Sequence, residues 1–119
     1  MENENFEIEH QKALHNLKRN IPSDGDLEAM VNIFKAFGDM TRVKIILALS
    51  KTPLSVGEIA DTLDMSQSSI SHQLSILKQL NLVSNARRGR NIHYRLSDQH
   101  IITIFNQTKE HIIEDENEY

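Results

Sequence analysis

The chain has 119 residues, 39% of them hydrophobic and 25% charged, with a net charge of −4 and no cysteine. This length holds one core rather than two, and the missing thiols exclude disulfides, thiolate metal sites and thiol redox sensing. The longest apolar run, Ile45 to Leu49, is far below the ~20 residues of a membrane span, and the start of the chain is acidic rather than signal-like, so a cytoplasmic protein without a membrane partner is expected.

Residues 1–22 read as an acidic leading segment and residues 23–119 as the folded domain, with Pro22-Ser23-Asp24-Gly25 as the break. A helix over 6–19 is expected in the leading segment, with Phe6, His10, Ala13, Leu14 and Leu17 near one face. Its acidic first nine residues are expected to fray. Leu27, Met30, Val31, Phe34 and Phe37 then follow helical spacing and predict a second helix with a buried stripe. Gly38 ends it, and Asp39 caps a third helix from Met40 to about Ser50, carrying Val43, Ile46, Leu47 and Leu49.

Ser55-Val56-Gly57-Glu58 has the pattern of a capping box. The short helix that it opens is expected to bury Val56, Ile59, Ala60 and Leu63. Asp64-Met65 is a tight connection, and Ser66 caps a further helix to about Leu80, which makes the pair a helix-turn-helix. Leu82 to Arg87 and Asn91 to Leu96 read as the strands of a β-hairpin around Arg88-Gly89-Arg90. Asp98 opens a last helix to about Glu114, with Ile101, Ile104, Phe105, Thr108 and Ile112 along one stripe. The order predicts a mainly α protein with a β-hairpin, a winged helix-turn-helix with an added C-terminal helix.

The helix after Ser66 turns Ile70, Leu74 and Leu77 inward and presents Gln67, Ser68, Ser71, His72 and Ser75 on the other face. Short polar groups near a helix N-terminus reach base edges and phosphates. Ser66 through Ser97 contain no acid but carry Lys78, Arg87, Arg88, Arg90 and Arg95, a basic footprint inside an acidic chain. Arg87, Arg88 and Arg90 around Gly89 are placed to follow a phosphate backbone. A solvated basic hairpin is the other reading of charge alone.

Phe34 to Arg42, Gln67 to Leu74, and Arg88-Gly89-Arg90 ahead of Tyr94-Arg95-Leu96 closely resemble the ArsR/SmtB family of bacterial metal-responsive repressors, over roughly residues 24–116. The resemblance implies a homodimer on palindromic double-stranded operator DNA, released by an inducer, with N- and C-terminal helices that dimerise. It places DNA contacts on Gln67, Ser68, Ser71 and His72, with Arg87, Arg88 and Arg90 on the backbone.

Asp98, His100, His111 and Glu114 of the last helix offer oxygen and nitrogen donors suited to Zn²⁺. Within one helix they cannot meet, because 13 residues at 1.5 Å each span ~20 Å. His100 and His111 are about three turns apart and share a face. Two such helices packed antiparallel about a two-fold axis near Asn106 would bring His100 against His111 of the partner subunit, twice per dimer. Asp98 also reads as an N-cap, the histidines as polar helix residues and Glu114 as part of an acidic tail. The resemblance favours the ligand reading, since Asp-x-His, ten residues, then His-x-x-Glu matches the C-terminal-helix site of the family's zinc sensors. It implies Zn²⁺ as regulatory ligand at two intersubunit sites, with Co²⁺ as an alternative occupant, a hydrogen-bond link from His111 toward the backbone near Asn81, and control of metal efflux or resistance genes. His10 and His15 lie about 140° apart on a helix and read as surface residues. No catalytic residue or small organic substrate is expected. The alternative to zinc sensing is a metal-independent winged-helix regulator whose last helix only dimerises.

Overall fold

A computed structural model describes the backbone of residues 2–117 and the side chains of residues 2–114. The acidic side chains past Glu114, read above as a tail, lie outside the described residues. The chain divides into two units, residues 1–32 and 33–119.

In the first unit, helix α1 spans Glu2–Asn20 and helix α2 begins at Asp24, running to Phe37 across the boundary. The helix α1 therefore starts at Glu2 and takes in the acidic residues expected to fray. Glu2 and Glu4 in its first turn and Lys18 and Arg19 in its last complement the helix dipole. Phe6 stacks on His10 one turn on, with ring centroids 5.6 Å apart. The Ser23 hydroxyl accepts the Asp26 N–H at 3.2 Å, where α2 begins.

The expected burial of the α2 stripe is corrected. Met30, Val31 and Phe34 are 45%, 48% and 61% exposed, and Ala36 is the buried residue of the helix. Periodicity identifies an apolar face, but it does not say whether a single chain covers that face.

The second unit is a winged helix. After the end of α2 come α3 (Met40–Leu49), β1 (Leu54–Ser55), α4 (Val56–Leu63), α5 (Gln67–Gln79), β2 (Val83–Arg88), β3 (Asn91–Leu96) and α6 (Gln99–Asn117). Asp39 caps α3 by accepting the Arg42 N–H at 3.0 Å. Ser55 and Glu58 close the capping box of α4, and Asp64 ends that helix in the left-handed conformation at φ 55°. Ser66 then caps α5 by accepting the Ser69 N–H at 3.1 Å. Asp64, Met65 and Ser66 are the whole turn between the two helices, so α4 and α5 are forced to pack at once on the same core. Ile45, Ile46, Ile59, Ile70, Leu74 and Leu77 are fully buried there, each stabilising the fold by about 1.5–3 kcal/mol.

The hairpin is tighter than expected. Arg88 pairs with Asn91 and belongs to β2, which leaves a two-residue turn of Gly89-Arg90. Gly89 takes φ +63° at its first position, where a side chain is strained. The sheet also has a third strand, in the antiparallel order β1-β3-β2. Leu54 pairs with Tyr94 and Ser55 with His93. A two-residue strand is too short to leave an alternating pattern, so the sequence predicted only the hairpin.

Candidate nucleic-acid and metal sites

The fold presents α5 with its inner face buried through Ile70, Leu74 and Leu77 and its outer face open. Gln67, Ser68, Ser71, His72 and Ser75 are all exposed on that outer face. Ser68 has its hydroxyl 3.3 Å from that of Ser66. Arg87 and Arg88 lie at the outer end of β2 and Arg90 in the turn, all exposed.

The basic stretch splits by role. Lys78 donates to the Asn85 side chain at 3.3 Å and Arg95 to the Ser84 hydroxyl at 3.3 Å, so both fasten the wing. Among the described residues, no hydrogen bond or ion pair holds the guanidinium groups of Arg87, Arg88 or Arg90. Arg87 and Arg90 line a groove of about 340 Å³ that Gln67 also reaches, closed on its other side by Ser55, Val56 and Gly57. The groove joins the start of α5 to the wing. Sequence reasoning missed the part played by Ser55–Gly57, because their capping pattern already explained them.

Glu58 follows these residues as the acid of the α4 capping box. Its carboxylate is held below its ordinary value of 4.5, first by the Ser55 N–H and then by the Ser55 side chain, with a weaker pull from His93. The His93 Nε2 lies 3.6 Å from a Glu58 oxygen.

Arg42 was quoted above only as part of a motif. It donates from Nε to the Ala36 carbonyl at 2.8 Å and from Nη1 to the Gln73 Oε1 at 3.2 Å. A basic residue in the first turn of a helix opposes the helix dipole, which was a legible sign that Arg42 has other work.

At the metal candidates, Asp98 and His100 come together at the start of α6. The Asp98 Oδ1 lies 3.2 Å from the His100 Nδ1, with the side chains 52% and 92% exposed. The same carboxylate oxygen accepts the His100 backbone N–H at 2.9 Å. His111 and Glu114 are exposed further along the helix, ~20 Å away by its rise. Among the described residues, no group of three or more His, Cys, Asp or Glu within one chain could hold a metal ion. A separate apolar groove of about 410 Å³ lies between Phe34, Phe37, Leu47, Ile104, Phe105 and Ile112. No helix of the described residues is long and apolar enough to cross a membrane.

Residues 39–85 match the family described as bacterial regulatory protein, arsR family. The chain is 30% identical over 105 residues to a transcriptional repressor SmtB homolog of Synechocystis sp., covering 88% of this chain and 80% of that one. It is 30% identical over 93 residues to a cadmium resistance transcriptional regulatory protein CadC homolog of Staphylococcus aureus, covering 77% and 76%. Among solved structures, a homodimeric winged helix-turn-helix DNA-binding domain of Mycobacterium bovis shares the fold at a TM-score of 0.75 and 23% identity, covering 84% of this chain and 95% of that one.

Proposed function

The chain belongs to the ArsR/SmtB family of bacterial transcription regulators, and on that premise we propose that it is a repressor that holds operator DNA as a metal-free homodimer and lets go when zinc binds. Membership makes it a winged-helix DNA-binding regulator rather than an enzyme. In the proposed complex Gln67, Ser68, Ser71 and His72 meet the bases and nearby phosphates, while Arg87, Arg88 and Arg90 run along the backbone. Residues 23–119 form the DNA-binding and dimerisation domain and residues 1–22 an accessory segment. The exposed apolar residues Phe34, Ile104 and Ile112 support a second copy of the chain as partner. The genes controlled are those of metal efflux or resistance, as the name of the cadmium-resistance relative suggests.

The observation that carries the zinc reading is the exposed donor pair at the start of α6. Ligands at 2.0–2.1 Å on the corners of a tetrahedron stand about 3.3 Å apart, and the Asp98 Oδ1 and His100 Nδ1 are 3.2 Å apart. Two donors leave the set half filled, so the other half comes from His111 and Glu114 of the partner subunit. Bound there, zinc or cobalt would supply a fixed bridge between the two α6 helices. Asp98 and His100 hold their end of it in register because the His100 N–H already fixes the carboxylate.

That same hydrogen bond favours a second reading. Asp98 caps α6, and a regulator whose α6 only dimerises needs nothing more from it. Fluorescence anisotropy on a DNA duplex selected from a random pool by the metal-free protein separates the two. Zinc is expected to weaken binding about 10-fold or more, within the range of ordinary site-to-site coupling, and His111→Ala is expected to bind the duplex but ignore zinc. Equal affinity of the unsubstituted protein with and without zinc would leave the metal-independent regulator.

A further inference from the structure

We propose that Arg42 is the positioning residue that sets the pose of the recognition helix α5 against the C-terminal end of α2. From α3, its guanidinium group bridges two elements, α2 and α5, that the chain separates by two helices and a strand. The Nε–H goes to the Ala36 carbonyl at 2.8 Å, and the Nη1–H goes to the Gln73 side-chain oxygen at 3.2 Å. Its own backbone N–H is held by Asp39 at 3.0 Å, so the base of the side chain is fixed as well.

The chemistry suits a clasp rather than a surface charge. Ala36 lies in the last turn of α2, where carbonyls lack helical partners and a cation is favoured. Among the described residues no carboxylate forms an ion pair with Arg42, so the bond to Gln73 does not compete with a stronger one. Gln73 is half-buried, one residue past His72 on the proposed base-reading face. A planar guanidinium with donors on separate nitrogens holds both acceptors at once, whereas an ammonium is a single point. Arg42 thus acts on DNA through Gln73 without touching it.

The clasp also reaches α6. Phe37, next to Ala36, packs edge-on against Phe105 of α6 with ring centroids 4.8 Å apart. A shift of α6 is therefore passed to the end of α2 and from there, through Arg42, to α5. This extension rests on the zinc reading of α6; the positioning role does not.

The experiment is a double-mutant cycle on the full-length protein with Arg42→Met and Gln73→Met. It compares a selected duplex with an unrelated duplex of equal length at low salt. Each single variant is expected to lose about threefold or more on the selected duplex, and the double variant no more than either. Binding to the unrelated duplex is expected to stay unchanged. Arg42→Lys keeps the charge but is expected to behave like Arg42→Met. Full rescue by lysine, equal losses on both duplexes, or additive losses would overturn the proposal, because Arg42 would then act as a plain phosphate contact or as an unrelated residue. Should Arg42→Met fail to fold, Arg42→Lys takes its place in the cycle with Gln73→Met. In Gln73→Met the zinc-induced change in affinity is expected to shrink about threefold. An unsubstituted protein whose affinity ignores zinc overturns the zinc reading, and the cycle still decides on Arg42.

Discussion

Ser55 accepts the Glu58 N–H at 3.2 Å while Glu58 accepts the Ser55 N–H at 2.9 Å, and Ser55 also edges the groove beside the wing. This reciprocal pair starts α4, on which the placement of α5 depends. Loss of an N-cap hydroxyl costs about 1 kcal/mol, so Ser55→Ala is expected to lower thermal stability by that amount. Because Glu58 titrates below its ordinary value, its stabilising ionisation is present above the unfolded value and lost as pH falls through the folded one. The melting-temperature gap between the native protein and Glu58→Gln is thus expected to hold steady near neutrality and to close in acid. A gap that widens in acid would contradict the assignment. The four-residue pattern Ser-x-x-Glu made this pair legible in the sequence. The Asp98–His100 pair was legible only as residue types, because whether a carboxylate turns to its own helix or toward a neighbour is decided by rotamer and not by spacing.

At the scale of elements, the two helices around Asp64–Ser66 and the wing after them were readable because each has its own local signal. Caps mark the helix starts, Asp64-Met65 reads as a tight connection, and Ile92, Tyr94 and Leu96 alternate along β3. Nothing local announced β1, whose pairing with β3 spans about forty residues of chain. The wing carries its own prediction. Each phosphate contact contributes ~0.9 to the slope of log affinity against log salt. If Arg90 holds one phosphate per chain, Arg90→Ala is expected to lower that slope by about 2 in a dimer, with similar loss on any sequence. An unchanged slope would place the Gly89-Arg90 turn off the DNA.

The whole molecule is where the sequence said least about burial. The face of α2 that reads as a core stripe is open at Met30, Val31 and Phe34, and Ile104 and Ile112 of α6 are open as well. Helical periodicity records that a face avoids water, and a second chain satisfies that record as well as a first. The donors divide in the same way, two at each end of α6. The central claim, that a metal is held between two copies of the chain, has a direct measurement. His100→Ala and His111→Ala chains are co-refolded in equal amounts and titrated with Co²⁺, following visible absorption. Each variant alone is expected to show no tetrahedral bands. In the mixture, half of the dimers are mixed and each regains one of its two sites, so about one quarter of the native signal is expected. No recovery in the mixture, or full bands in either variant alone, would contradict a site shared between subunits.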